Sequence, residues 1–498
     1  MNNIAIVGGG TAGVITALKM QRDYGNISSI TMIRSEEIGI LGAGEGSTPN
    51  LIALLNELDI TTKDLIRNTY STIKIGINFQ KWTDENSSYV HPFTSLWDGE
   101  EGRALLDTIL HDSLSIDDYN LYVELGKQRK TLSIEDMDSN GAYAIHFDAA
   151  ELAKYLESVA ISRGVTIIND KVVGVETDYN DYIESLILEN TGTHKTDFVF
   201  DCSGFRRLII GEFYGTEWAS LRDYLPMSNA QPFFLPPSEN PHPWTDAIAQ
   251  DAGWIWKIPL QHRYGCGYVY DENYISNESV KEAILEQYPE ADIPDRTFNF
   301  EAGYFKKQFV KNCMAIGLAS TFVEPLEATS IFAFILQLKN IPAGLIPKMF
   351  ERNNSSVDNY LDCVRDVFNQ KSETINLEIA QFIQLHYITD REDTPFWKDY
   401  KSKKKFKLVE ASLEVMDTGN IYIIPHPSDV SVRPFGTESY TYVGNGNKLI
   451  NGSHLTVDRE INLQFFRDNI KTEVAGLPTH RETIENLKQT TQNYLSWN

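Results

Sequence analysis

Short apolar runs alternate along this chain with stripes of helical spacing. Residues 4–7 (Ile4, Ala5, Ile6, Val7) predict a strand, which runs through Gly8-Gly9-Gly10-Thr11-Ala12-Gly13 into a helix reaching Met20. Residues 30–33 predict a second strand. Over 73–79 the alternation places Ile73, Ile75, Ile77 and Phe79 on one face of a single strand and Lys74 and Gly76 on the other. Asp148 reads as the cap of a helix with Leu152, Leu156 and Val159 on one stripe and Gly164 as its stop. A strand over 165–168, a strand pair near 171–176 and 183–188, and a strand over 197–200 follow, the last turning at Asp201-Cys202-Ser203-Gly204. In Gly253-Trp254-Ile255-Trp256-Lys257-Ile258-Pro259 the two indoles share a face, and the proline ends the pairing. A strand over 312–316 precedes an apolar helix at 331–338, and from Pro347 onward the pattern is mostly helical. Residues 94–140 read as a polar, irregular insertion covering a site.

The first strand, turn and helix form a dinucleotide fingerprint in its required context. Gly8 permits the turn, Gly10 lets backbone approach a pyrophosphate, and Gly13 lets the helix pack closely on the strand. Unpaired N–H groups and the dipole at Thr11 and Ala12 favour phosphate. Alone, this motif says NAD or FAD. The second strand ends in Arg34 and Ser35, where an acidic residue for ribose hydroxyls is expected. Arg34 would favour a 2′-phosphate, hence NADP, or else leave the adenosine end of FAD less firmly held. Next, Gly42-Ala43-Gly44-Glu45-Gly46-Ser47-Thr48-Pro49 reads as a glycine loop before a helix near 51–58, with Ser47 or Thr48 as cap and Pro49 in its first turn.

Composition narrows the class. The net charge of -25 over 498 residues repels a phosphate backbone, so nucleic acid is not an expected partner. The four cysteines are far apart, with neither metal nor disulfide spacing, and no metal site is expected. No run approaches the ~20 apolar residues that span a bilayer, and the first residues lack the pattern of a signal peptide. Cytoplasmic placement is the expectation. Self-association is left open.

Several of these residues have bland readings: Lys74 as a solvent-facing lysine, the tryptophans as packing aromatics, Glu327 as a first-turn carboxylate on a helix dipole. A resemblance changes them together. Trp254-x-Trp256-x-Ile258-Pro259 resembles the signature of flavin-dependent halogenases related to tryptophan halogenase. The segment Gly44-Glu45 through Pro49, Lys74-x-Gly76-x-x-Phe79, His91-Pro92-Phe93, and Val323-Glu324-Pro325-Leu326-Glu327-Ala328-Thr329-Ser330 resemble further motifs of that family. Weaker likenesses are His386-Tyr387 and the stretch 391–397. Where the family typically has Ser and Gly, this chain has Ala328 and Ser330.

The resemblance implies an α/β fold: an FAD-binding, Rossmann-type module of the hydroxylase kind (1–90 plus 141–345) interleaved with a mainly helical substrate module (91–140 plus 346–498). It implies FAD, used as FADH2 from a separate flavin reductase, held by Gly8, Gly10, Thr11, Ala12, Gly13, Arg34, Gly44, Glu45, Ile316 and Leu318. Chloride, bromide or iodide would sit at the backbone donors of a helix start, Thr329 and Ser330, and be oxidised with oxygen to hypohalous acid. Trp254 and Trp256 would shield the flavin while that acid travels to Lys74, with Glu327 opposite and a small aromatic substrate against His91 and Phe93. The missing hydroxyl at Ala328 leads us to expect bromide or iodide over chloride. Two rivals share the motifs in part: a flavin monooxygenase of the same fold, which needs neither Lys74 nor the paired tryptophans, and a non-catalytic FAD-fold binding protein.

Overall fold

The computed structural model describes residues 2–39, 44–94, 99–140, 142–351, 355–424, 434–457 and 461–489. At its centre is a six-stranded sheet in the order Phe309–Val310, Cys313–Ala315, Phe198–Asp201, Asn2–Val7, Ser28–Arg34, Thr166–Asn169. All neighbours run parallel except the Phe309–Val310 edge. A parallel sheet must be covered on both faces, which is why its strands read as continuous apolar runs. Ile4, Ile6, Met32, Phe198 and Phe200 face one core with the helices Thr11–Tyr24 and Ala149–Ser162. Ala5, Val7, Ile33 and Val199 face a second core, closed by the three-stranded sheet Val172–Thr177, Ile183–Leu188, Gly192–Lys195. The Rossmann-type α/β expectation holds.

A second sheet of seven strands carries the tryptophan strand Gly253–Pro259 between Tyr264–Tyr270 and Thr245–Gln250, with Gly76–Gln80 and Ser88–Pro92 at one edge. The expected single strand over 73–79 is in fact two. Thr72–Lys74 pairs with Ala144–Asp148 in a small three-stranded sheet, whereas Gly76–Gln80 pairs with Thr245–Gln250 and Ser88–Pro92. Between them Ile75 donates its N–H to Pro243 and accepts from Phe93 N–H. The alternation survives the switch, yet Ile73 and Ile75 enter one core while Ile77 and Phe79 enter another.

The insertion also differs from expectation. It contains the helices Gly99–His111, Leu121–Lys127 and Ile134–Asn140, with Leu105, Leu106, Ile109 and Leu110 packed into the second sheet's core. The Asp148 cap is as expected: its Oδ1 accepts from the N–H groups of Ala150 and Glu151. At the other helix neither candidate caps: Thr48 is the N-cap residue without a side-chain hydrogen bond, and Ser47 Oγ donates to Ile145 O. The helical C-terminal third begins with one long helix, Ser355–His386. No helix among the described residues is long and apolar enough to cross a membrane.

Candidate active site

One cavity of about 410 Å³ runs from the glycine turn to Lys74 and Glu327, passing Trp254 and Trp256. At its first end the turn is tightly constrained. Gly8 has φ of 121°, and a Cβ there would come 2.1 Å from Cys202 O. Gly13 is as crowded, its Cβ position lying 2.0 Å from Gly8 O. Gly10 is the opposite case: a Cβ there meets nothing within 4 Å, so the α-carbon faces open cavity. Gly10 is also the N-cap of the Thr11 helix, and no side chain caps it. Open space beside uncapped N–H groups at a helix start suits a dinucleotide diphosphate. Thr11, Ala12, Gly44, Glu45, Ile316 and Leu318 line the same cavity. These residues fit FAD. Gly42 and Ala43 lie outside the described residues.

Arg34 is committed elsewhere. Its Nε and Nη2 donate to the two carboxylate oxygens of Glu157 at 3.0 and 2.7 Å, and its Nη1 donates to Glu36. A guanidinium held in that bidentate fork is not free for a 2′-phosphate. The NADP alternative raised by its position loses its anchor.

Glu45 is one of the ionisable residues lining this cavity. Burial, helped by the neighbouring Asp148 carboxylate, pushes it up to about 7. Trp254 and Trp256 stand edge to face, 6.3 Å between centroids. Three of their four cross-strand partners are small: Ala249 opposite Trp254, and Ala247 and Gly267 opposite Trp256; the fourth, on the other side of Trp254, is Val269. That choice leaves room for both indoles, and a Cβ on Gly267 would come 2.1 Å from the Trp256 ring.

At the far end Lys74 is 1% exposed, which excludes the solvent-facing reading. Its Nζ donates to Ser47 O at 2.9 Å and lies 5.2 Å from the centre of the Phe93 ring. Burial lowers the amine to about 8, opposed by the charge of Glu327. Such an amine loses its proton far more readily than a surface lysine.

Glu327 does not hydrogen-bond Lys74. Its Oε1 instead meets His91 Nδ1 at 2.7 Å and His386 Nε2 at 3.0 Å. Burial pushes its carboxyl up, but the two imidazoles more than reverse this and bring it to about 2. Glu327 and Ala328 both take left-handed backbone angles, φ 62° and 56°, immediately before the helix Thr329–Lys339. Each costs on the order of 1–2 kcal/mol for a residue with a Cβ. The kink turns Glu327 toward His91 and His386.

At that helix start the Thr329 hydroxyl is already used, donating to Glu324 O at 2.6 Å. Ser330 Oγ is buried without a partner, and Ser330 lines the cavity. Two neighbours were not singled out from sequence. Glu324 accepts from Tyr387 O–H at 2.8 Å, and burial raises it to about 8. His480 accepts from Ile73 N–H beside Lys74. Glu324 lies within the 323–330 motif, whereas His480 has no local motif signal. Tyr440 and Tyr442 are buried in packing, Tyr442 O–H accepting from Asn120 and donating to Thr94 O.

An FAD-type parallel sheet, a tryptophan-lined cavity and a buried lysine at its end together define a flavin-dependent halogenase. A family model described as tryptophan halogenase matches residues 3–459, and the chain belongs to that family. It is 30% identical over 481 residues to the tryptophan 6-halogenase SttH of Streptomyces toxytricini, covering 89% of this chain and 88% of the relative. It is also 30% identical over 450 residues to the tryptophan 7-halogenase RebH of Lentzea aerocolonigenes, covering 84% and 81%. Among solved structures, the tryptophan C-6 flavin-dependent halogenase (chlorinase) from taromycin biosynthesis superposes with a TM-score of 0.85 at 28% identity, covering 98% of this chain and all of that one. The flavin-dependent halogenase BrvH from Brevundimonas sp. BAL3 gives 0.85 at 28% identity, covering 98% and 99%. The chain is therefore an FAD-dependent enzyme of the two-component kind, using FADH2 from a separate flavin reductase and a halide.

Proposed function

We propose that this enzyme halogenates an electron-rich aromatic, indole-like substrate, with Lys74 delivering the halogen. The observation that carries this reading is the single cavity joining the glycine turn to a fully buried lysine past two tryptophans. FADH2, when bound, supplies with oxygen the oxidation of halide. The chain's own residues do the rest. Gly8, Gly10 and Gly13, with the start of the Thr11 helix, would hold the diphosphate, and Gly44, Glu45, Ile316 and Leu318 would lie along the rest of the cofactor. Trp254 and Trp256 keep bulky organic molecules away from the flavin end while leaving passage for a small oxidised halogen. A lysine amine near 8 is partly neutral at ordinary pH and can take that halogen. The arene, held beside His91 and Phe93, then attacks it, and Glu327 receives the displaced ring proton. Positioning and separation are the protein's contribution.

Halide would bind at the N–H groups of Thr329 and Ser330, where a helix begins. We propose bromide or iodide over chloride: the heavier ions give up less hydration, and Ala328 contributes no hydroxyl. The two-module division given above, FAD module and substrate module, is part of the same reading. A reducing, cytoplasmic location is supported by the four cysteines, all free and three of them buried.

The test is mass spectrometry of an indole and phenol panel incubated with FAD, a flavin reductase, NADH, oxygen and each halide in turn. Products heavier by halogen minus hydrogen support the reading. Hydroxylated products independent of halide would assign the chain to monooxygenation instead.

A further inference from the structure

Beyond the two residues assigned to halogen and proton transfer, the buried array His91–Glu327–His386 carries a proton whose position follows from its geometry. His386 closes the long helix, is fully buried, and its Nδ1 lies 2.9 Å from Phe382 O. A carbonyl only accepts, so Nδ1 carries hydrogen. In a neutral imidazole the other nitrogen would then be an acceptor. Yet Nε2 faces Glu327 Oε1 at 3.0 Å, an oxygen that also meets His91 Nδ1 at 2.7 Å. Two acceptors cannot share a hydrogen bond, so a proton must lie between His386 and Glu327. Both Glu327 hydrogen bonds fall on Oε1, and Glu327 lines the cavity.

We propose that His386 is a positioning residue, held as an imidazolium that pins Glu327 through Oε1 and leaves Oε2 as the base for the substrate ring. The inference rests on the reading of Glu327 as that base. The surroundings suit a cation: the Phe79 and Phe382 rings stand 4.8 Å from the imidazole. The other titratable groups facing Glu327 are Lys74 on the neighbouring small sheet and Tyr89 on the His91 strand. The step balances. Once carbon–halogen bonding is complete, the ring C–H bond breaks, its electron pair restores aromaticity, and the proton passes to Oε2. The array then holds a neutral carboxylic acid beside a cation, a combination that favours release of that proton to water and resets the site.

The test uses nitrogen-15 NMR of histidine in the full-length protein, with His386→Gln and His386→Phe alongside. Both ring nitrogens of His386 should be protonated at neutral pH; a bare ring nitrogen there would overturn the proposal, whether or not the variants fold. His386→Gln keeps a donor for Glu327 but cannot carry the charge. It should lose about a hundredfold in halogenation, the scale of one positioned acid–base group, while oxidising FADH2 normally; wild-type turnover would sink the idea. Glu327→Gln separates the two claims. If it alone abolishes halogenation, the role of His386 fails and the base survives; if it halogenates normally, the base reading fails.

Discussion

Lys74 Nζ donates to the main-chain oxygen of Ser47, not to the side chain of Glu327. A carbonyl partner orients the amine without fixing its charge, whereas a bonded carboxylate would hold it protonated. Lys74 and Glu327 line one cavity, and the carboxylate's charge reaches the amine without a hydrogen bond between them.

Replacing Lys74 by methionine should therefore uncouple the enzyme. Met approximates the buried stem and removes only the amine. Halogenated product, followed by mass spectrometry, should fall at least about a hundredfold, while oxidation of reduced flavin continues and free hypohalous acid or peroxide accumulates. Wild-type product at the wild-type position would remove Lys74 from the mechanism.

Cofactor choice follows from Arg34. With its guanidinium held by Glu157 and Glu36, saturable binding is expected for FAD and none for NADPH. Affinity in the micromolar range, about -8 kcal/mol, fits a second strand that lacks the acidic ribose partner. Fluorescence titration checks both cofactors. Glu157→Gln should leave FAD affinity nearly unchanged, since this pair holds two elements of the fold together.

His480 predicts a specific acid sensitivity. Its Nδ1 donates to Pro241 O and its Nε2 accepts from Ile73 N–H, so both nitrogens are used in the neutral form. Burial depresses it from 6.5 to about 4. Between those values the unfolded chain takes a proton that the folded chain refuses, so this contribution is complete above about pH 6.5 and lost as pH falls toward 4. At 1.36 kcal/mol per unit it amounts to roughly 3 kcal/mol. Glu45, Asp117 and Glu324, pushed up to about 7, 7 and 8, act in the opposite sense. The measurement is therefore a difference: denaturant midpoints of wild type and His480→Gln at pH 7 and pH 4.5. The gap between them should change by a few kcal/mol; a gap independent of pH would contradict the assignment.

Halide preference is tested by Ala328→Ser combined with Ser330→Gly, in chloride–bromide competition at equal flavin turnover. Removing the unpartnered Ser330 hydroxyl and adding one at 328 moves a donor by two residues. A hydrogen bond to an ion is worth roughly 1.5–3 kcal/mol, so the product ratio should shift tenfold or more toward chloride. An unchanged ratio would assign the preference to oxidation chemistry, and efficient wild-type chlorination would remove the preference.

What the sequence revealed was local. The glycine turn and the Asp148-capped helix were legible because both signals lie within a few residues of the structure they cause. The break at Ile75 was not, since apolar alternation is identical whether one sheet or two receives the strand. The helix Gly99–His111 was hidden by acidic and polar neighbours around Leu105, Leu106, Ile109 and Leu110. The convergence at Glu327 joins residues 236 and 59 positions away, with no periodicity to announce it. Only likeness to a family pointed to some of its members, and it set Glu327 opposite Lys74 without indicating the two histidines that hydrogen-bond it.

The consecutive left-handed residues Glu327 and Ala328 have a bearing on engineering. Glycine at 328 would relieve the backbone there, and substitutions of that kind commonly gain about 0.5–2 kcal/mol. A library ranked by melting temperature alone would then favour a looser hinge under the carboxylate, and thermal robustness and turnover would move in opposite directions at this one corner.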